Sequence, residues 1–154
     1  MTDQDMPSFA IEKLYIKDFS LEVPNAPEIF LEREAPSVSI NLNTATKRLG
    51  DDVYEVLLTI TVTAQAGEKT VFLIEVGQGG IFRIKNVPDD NLDALLGIAC
   101  PNILFPYARE AVSDAATRAG FSPVILQPVN FEALYASRMQ QDQTAAAGSD
   151  VTVQ

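Results

Sequence analysis

The chain has 154 residues, the length of a single domain, and carries a formal net charge of −10. This acidity disfavours nucleic acids and anionic membranes as partners, because both are bound through clustered Lys and Arg side chains. The sequence has no histidine and only one cysteine, so the commonest general base, the commonest metal ligand and an internal disulfide are missing. We therefore expect no cofactor, no metal site and no enzymatic activity. The acidic start of the sequence and the lack of an apolar run of roughly 20 residues predict a cytoplasmic protein that does not insert into membranes.

The first predicted strand covers residues 9–22, after a segment 1–7 that is expected to be disordered. Its apolar residues fall on both parities, which predicts a strand with two partly apolar faces. Pro24 and Pro27 then end the strand, because proline cannot continue a ladder of hydrogen bonds. They begin a loop that is expected to run to about Pro36.

The second predicted strand is half-buried, since Val38, Ile40 and Leu42 alternate with serine and asparagine residues. The third and fourth strands are predicted over residues 53–64 and 70–76. Because short turns separate these three strands, they are expected to pair as antiparallel hairpins. A glycine-rich run after the fourth strand is expected to end the sheet.

The only long helical pattern follows Cys100. Pro101 and Pro106 are expected in the first turn of this helix, where proline is tolerated, and Gly120 is expected to end it. The apolar stripe of the helix is rich in alanine and lacks the bulk to fill a core alone, so we expect it to lie against another element or another subunit. This stripe contains Leu104, Ala108, Ala111, Val112 and Ala115.

A last helix is predicted after Asn130, with Phe131, Leu134 and Tyr135 on one face. The polar composition that follows predicts a flexible tail over residues 141–154. Together the elements predict one α+β domain over residues 8–140. In this fold a four-stranded antiparallel meander carries the long helix and the C-terminal helix on one face.

The other face of the sheet is expected to be free of helices. It would carry Leu57, Val71 and Leu73 among the acidic residues Glu55 and Glu75. Apolar residues rimmed with acids are typical of a protein-binding surface, although scattered apolar residues on a surface are about as common.

Three motifs could carry chemistry, and each has a simpler structural explanation. The run Gly77–Gly80 resembles a phosphate loop but lacks the Gly-Lys-Ser/Thr that would follow. The pairs Asp51-Asp52 and Asp89-Asp90 lie in predicted turns, where aspartate bonds to the backbone. Cys100 precedes a helix, which can lower the pKa of a thiol, but it has no histidine to pair with. We predict no catalytic residue.

A binding groove is a further possibility if the last helix lies beside the second strand. Two sets of apolar residues would then flank it: Val38, Ile40 and Leu42, and Phe131, Leu134 and Tyr135. Such a groove could hold extended, unfolded segments through apolar contacts and backbone hydrogen bonds. The alternative is that the aromatic residues of the last helix belong to the core.

Five runs of the sequence together resemble the SecB family of bacterial export chaperones. They occur in the family's order over roughly residues 8–140, and they are Val23–Pro27, Asp51–Val56, Glu75–Phe82, Cys100–Glu110 and Pro128–Phe131. The resemblance implies an ATP-independent cytoplasmic chaperone. Such a protein holds secretory precursors unfolded and delivers them to the ATPase SecA for Sec-dependent export.

The resemblance also implies roles for particular residues and an assembly. It implies a homotetramer, built as a dimer of dimers with long helices between two eight-stranded sheets. The positions that match the SecA-binding surface of the family are Asp18, Glu22, Leu73 and Glu75. Ile74, Val76 and Gln78 match residues that affect assembly in the family. We group them with the alanine-rich stripe as the predicted oligomer interface. The six residues of the groove are consistent with the family's client-binding region, and in the family the tail is a second SecA contact.

A specialised member of the family is the alternative. Such a protein, for example one linked to an antitoxin, would act as an adaptor that binds one dedicated partner. Some members also carry a tryptophan in the loop before the second strand, where this chain reads Arg33–Pro36.

Overall fold

The computed structural model describes residues 5–151, and the surroundings of side chains for residues 5–145. Its strands are β1 (Ser8–Glu22), β2 (Ser37–Gly50), β3 (Val53–Ala66) and β4 (Lys69–Lys85). Its helices are a 3₁₀ helix (Glu28–Leu31), α1 (Asp89–Ala94), a π helix (Leu95–Ala99), α2 (Cys100–Arg118) and α3 (Phe131–Val151). The predicted α+β fold is confirmed. The segment expected to be disordered lies largely outside the described residues, and the expected tail begins inside α3.

The four strands form one antiparallel sheet in the order β1-β4-β3-β2. The meander holds for β2, β3 and β4, whereas β1 crosses over and pairs with the far side of β4. Both β1 and β2 are therefore edge strands, and each has one side with no strand beside it. The 3₁₀ helix lies in the crossover connection between them.

The run Gly77–Gly80 lies inside β4 and does not end the sheet, contrary to the prediction. A Cβ atom on Gly79 would lie 2.5 Å from the ring of Tyr15, and one on Gly80 would lie 2.8 Å from Phe82. A Cβ on Gly80 would also lie 3.0 Å from Leu104 of α2. The glycines are present because other elements approach both faces of the strand closely, and this close approach is a known reason for glycine within a strand.

Two irregularities in β1 place its phenylalanine, leucine and isoleucine side chains on one face and Tyr15 on the other, which corrects the expectation that such residues are divided between the two faces. The register against β4 shifts between Ile11 and Lys13 and again between Ile16 and Asp18. Each shift adds one residue and so reverses the parity of the side chains that follow. The residues opposite the buried positions of β4 are Phe9, Ile11, Leu14, Ile16, Phe19 and Leu21. We call these six residues the β1 stripe.

A third irregularity moves Val71 from the expected outer face into the core. Gln65 pairs with Thr70 and Ala64 pairs with Phe72, so Val71 has no partner on β3. Its side chain is buried in the hydrophobic core. The outer face of the sheet is consequently less apolar than the sequence predicts.

The helical rod from α1 to α2 runs without a break, so Pro106 lies in the interior of a helix and not in its first turn. Proline has no N–H to bond the carbonyl four residues earlier, on Asn102. Both residues are exposed, so water can satisfy that carbonyl. The end of α2 is as predicted: Gly120 has a φ of 94°, and the N–H of Phe121 donates to the carbonyl of Ala116 at 3.0 Å.

The alanine-rich stripe of α2 packs against β3 and β4 of its own chain. Of the two expected neighbours, another element or another subunit, the structure shows the first. The small side chains allow α2 to approach the sheet closely. The eight residues of the predicted oligomer interface are between 0% and 7% exposed in the single chain, and they are Ile74, Val76, Gln78, Leu104, Ala108, Ala111, Val112 and Ala115. They are therefore core residues, and none of them is on the surface to contact another subunit directly.

Candidate functional site

An open cavity of about 200 Å³ lies between β2 and α3. Four of the six predicted groove residues line it: Leu42, Phe131, Leu134 and Tyr135. Phe131 is buried and belongs to the core, so for this residue the core interpretation also holds. The structure therefore brings the second strand and the last helix together, as the groove hypothesis requires.

The other two predicted groove residues lie along β2 beyond this cavity. Val38 and Ile40 pair with Ala64 and Val62, which are buried on the helix side of the sheet, so they share the face of Leu42. Because α2 covers β3 and β4, this part of β2 is left uncovered, and the two side chains are 45% and 44% exposed.

A second cavity, of about 300 Å³, lies at the other end of β2. The 3₁₀ helix contributes Phe30 to it, and the residues after α2 contribute Phe121. The two rings stack with centroids 5.1 Å apart, and Phe72 lies 5.2 Å from Phe121. Sequence reasoning missed Phe30 and Phe121 because they lie in connections, where no periodicity indicates which way a side chain points.

The two cavities are the ends of one apolar path along β2. Pro36 lines the second cavity and Thr44 lines the first. Thr44 is eight residues after Pro36, so the path is about 26 Å long at about 3.3 Å per residue. Since β2 is an edge strand, its free backbone groups run beside this path. We call the path with its two cavities the β2 groove.

The wall of the β2 groove formed by α3 is held by contacts to two other elements. The hydroxyl of Tyr135 donates to Asp93 Oδ2 at 2.6 Å, and this hydrogen bond raises the pKa of Tyr135. On the other side, Arg138 Nη2 donates to Thr44 Oγ1 at 3.2 Å. The first turn of α3 is capped as predicted, with the N–H of Ala133 donating to Asn130 Oδ1 at 3.0 Å.

The four residues matched to a SecA-binding surface lie together on the outer face of the sheet, away from the helices. Glu22 lies opposite Leu73, and Asp18 lies opposite Gly77, which is four positions further along β4. Glu75 lies between them on β4 and accepts a hydrogen bond from the hydroxyl of Thr61 at 3.3 Å. We call Asp18, Glu22, Leu73 and Glu75 the acidic patch.

A further acid on the outer face, Glu55, is already paired. Glu55 accepts hydrogen bonds from the hydroxyl of Tyr15 and from Lys17 Nζ, which is 2.8 Å from its Oε1. These two bonds hold the pKa of Glu55 below its ordinary value, and the bond from Lys17 has the larger effect. Burial and the bond to Glu55 raise the pKa of Tyr15 to about 12. Glu55 is thus not a free acid at the rim of the acidic patch.

Replacing Tyr15 with phenylalanine should remove a phenol that ionises near pH 12. The folded pKa of Tyr15 is raised above the ordinary value of 10, so the neutral phenol stabilises the fold below pH 10. This contribution is lost as the pH rises from 10 through 12. The check is a difference titration of phenolate absorbance between the native wild type and Tyr15→Phe. A difference curve centred at pH 10 would contradict the Tyr15–Glu55 contact.

The motifs considered for chemistry are structural. Cys100 is buried, and burial raises the pKa of its thiol to about 12, which disfavours a nucleophilic thiolate. Asp51 and Asp52 form the turn between β2 and β3, and Asp89 and Asp90 form the first turn of α1. Within the described residues, no group of His, Cys, Asp and Glu side chains is arranged to hold a metal ion. The helices of the described part are not long and apolar enough to cross a membrane.

Comparisons with known proteins give one consistent result. The family model for the preprotein translocase subunit SecB matches residues 2–142. A protein-export protein SecB of Dechloromonas aromatica is 64% identical over 154 residues, which is the full length of both chains. One of Methylobacillus flagellatus is 59% identical and covers 95% of this chain and 92% of its own. One of Neisseria meningitidis is 55% identical over 97% of this chain and its own full length.

A solved structure of similar fold is that of a SecB-like chaperone from Mycobacterium tuberculosis, in complex with a peptide from an antitoxin. The two structures superpose with a TM-score of 0.65 over 79% of this chain and 90% of the other. Their sequences are 16% identical, so the likeness concerns the fold.

Proposed function

The chain belongs to the SecB family of preprotein translocase subunits, and from this premise we propose that it is a protein-export chaperone. It binds unfolded precursors without ATP in the cytoplasm and delivers them to SecA. The observation that carries the proposal is the β2 groove, an exposed apolar path along an edge strand. A folded protein keeps most of its apolar segments buried, so an extended, non-native chain is the partner that such a groove fits best.

The groove binds its clients as extended segments. Alternate side chains of a strand point the same way, so about four side chains of an eight-residue segment face a path about 26 Å long. The free backbone groups of β2 supply hydrogen bonds that any sequence can accept or donate. Because the chaperone binds the unfolded state and not the folded one, it shifts the folding equilibrium of the client towards the unfolded state by mass action. Proteins that fold slowly are therefore held, and proteins that fold quickly escape.

The length of the groove gives a direct test. In a series of apolar peptides of increasing length, we expect affinity to rise up to about eight residues and then to level off, since longer peptides extend beyond about 26 Å. Isothermal titration calorimetry on the series measures this. Affinity that rises steadily with length, or no binding at any length, would contradict a groove of this size.

The adaptor alternative is not favoured. The relatives that are 55% to 64% identical are named for protein export. The structure bound to an antitoxin peptide is only 16% identical to this chain.

We place SecA docking on the acidic patch. Its acids are exposed or half-buried at one end of the outer sheet face, opposite the face that carries the groove. A client in the groove and SecA on the patch therefore do not compete for the same surface. This arrangement suits a chaperone that hands over its client while it is docked.

Reversing one charge of the acidic patch should weaken SecA binding. Glu22→Lys removes an attraction and adds a repulsion, so we expect a loss of at least about fivefold at 0.05 M salt that shrinks by 0.3 M, because salt screens exposed charges. Glu68→Lys changes the net charge equally but lies in the turn between β3 and β4. Surface plasmon resonance against SecA compares the two variants. Equal affinities for both variants, whether reduced or unchanged, would remove the patch from the docking site.

The homotetramer is also part of the proposal, and we expect its subunits to meet at the β1 stripe. The β1 stripe lies on an edge strand, and Phe9, Ile11, Ile16 and Phe19 in it are exposed. We expect the β1 strands of two copies to pair into an eight-stranded sheet. Ile74, Val76 and Gln78 lie opposite Leu21, Phe19 and Ile16. They therefore affect assembly by holding β1 in place from within the chain.

A further inference from the structure

We propose that Tyr135, Asp93, Arg138 and Thr44 are positioning residues that set how readily an unfolded segment enters and leaves the β2 groove. The two hydrogen bonds they form hold α3 from opposite sides. This inference rests on the proposed function, because it concerns access to the same groove. It assigns these four polar residues a role that the apolar contacts of the groove do not explain.

The first hydrogen bond fixes α3 to the helical rod. The ring of Tyr135 lies on Gly97 of the π helix, where a Cβ atom would lie only 2.7 Å from the ring. Its hydroxyl donates to Asp93 one turn earlier on the rod. Glycine is unfavourable inside a helix, and here it provides the space that the ring occupies. The contact of the ring with Gly97 and the hydrogen bond to Asp93 together anchor α3 on the side that faces the helical rod.

The second hydrogen bond joins α3 to β2 across the groove. Thr44 shares the face of Leu42, because it pairs with the buried Leu58. Arg138 and Thr44 both line the cavity, and the bond between them connects its two walls. An extended segment that follows β2 past Leu42 therefore meets this bond and must break it to continue. Breaking the bond between Arg138 and Thr44 frees α3 on the groove side, while the anchor at Tyr135 stays in place.

The experiment measures rates, since a purely structural role would not accelerate binding. Thr44→Val removes the acceptor for Arg138 and keeps the shape of the side chain. Thr46→Val makes the same change two residues along the same face of β2, outside the cavity. Stopped-flow fluorescence on the full chain follows the binding and release of a labelled eight-residue apolar peptide. Native-state hydrogen exchange reports the opening of α3 in the free protein.

We expect Thr44→Val to raise the association rate of the peptide by about 2- to 10-fold, the range that the loss of one hydrogen bond of this kind supports. Exchange of the α3 amides should accelerate by a similar factor, and Thr46→Val should change neither rate. Association and exchange rates of Thr44→Val that equal those of the wild type would overturn this inference while the groove function stands. A wild type that binds no peptide would overturn the proposed function and this inference with it.

Discussion

Replacing Ile40 with aspartate should reduce the affinity for unfolded clients by at least about tenfold. The side chain of Ile40 lies on the uncovered middle of the β2 groove, where a client would bury it. Because Ile40 is 44% exposed, the substitution removes somewhat under half of the about 1.5–3 kcal/mol that full burial of such a side chain contributes, and it forces a carboxylate to lose water when a client binds. Fluorescence anisotropy of a labelled, reduced and unfolded precursor measures the change.

The chain offers a matched control for this variant. Asn41→Asp adds the same charge one residue away, but Asn41 pairs with Thr61 on the outer face. Ile40 is exposed in the single chain, so neither variant should unfold the protein, and thermal unfolding checks this. If Ile40→Asp and Asn41→Asp bound the precursor equally well, the groove would not be the client site.

Replacing Phe19 with lysine should dissociate the assembly at concentrations where the wild type is fully assembled. Phe19 is 46% exposed in the β1 stripe, and an interface between β1 strands would bury it. A lysine in that position loses apolar contact and would have to give up water around its charge when the interface forms, which should raise the dissociation constant at least about tenfold. Sedimentation velocity over a dilution series measures the change.

Ser20→Lys is the control for the second prediction. It adds the same charge to the next residue of β1, but Ser20 lies opposite Glu75 on the outer face of the sheet. The dissociation constant should therefore change little. An intact assembly of Phe19→Lys at all concentrations would contradict an interface built on the β1 stripe.

Elements with a regular period could be predicted from the sequence. The alternation of Val38, Ile40 and Leu42 identified β2 and its apolar face, and the spacing in the last helix placed Leu134 and Tyr135 against the groove. Gly120 marked the end of α2, because its φ of 94° is one that other residues rarely adopt. In each case a local physical rule was sufficient.

Features that depend on contacts distant in sequence could not be predicted in this way. Alternation of residues along the sequence does not reveal the two register shifts in β1, and it does not reveal the shift between β3 and β4 that buries Val71. The glycines of β4 indicated a loop, because the close approach of Tyr15 and Leu104 is a property of the folded chain. The predicted interface residues lie on β4 and α2, and all except Gln78 are apolar, but composition does not distinguish a core within one chain from an interface between two.

The grouping of the acidic patch came from resemblance alone. Asp18 and Glu22 are more than 50 residues away from Leu73 and Glu75 in the sequence. They meet because β1 pairs with β4, a pairing that the meander prediction did not contain. The crossover connection between β1 and β2 therefore both forms the patch and leaves β2 free at the edge of the sheet.

Refolding of a denatured, slow-folding secretory precursor tests the chaperone function most directly. The intrinsic fluorescence of the precursor would be followed with and without this protein, in the absence of nucleotide. We expect refolding to stop when the assembly and the precursor are equimolar, and to resume when a competing unfolded chain is added. Refolding at an unchanged rate, with the protein shown to be folded and assembled, would contradict the function proposed for the β2 groove.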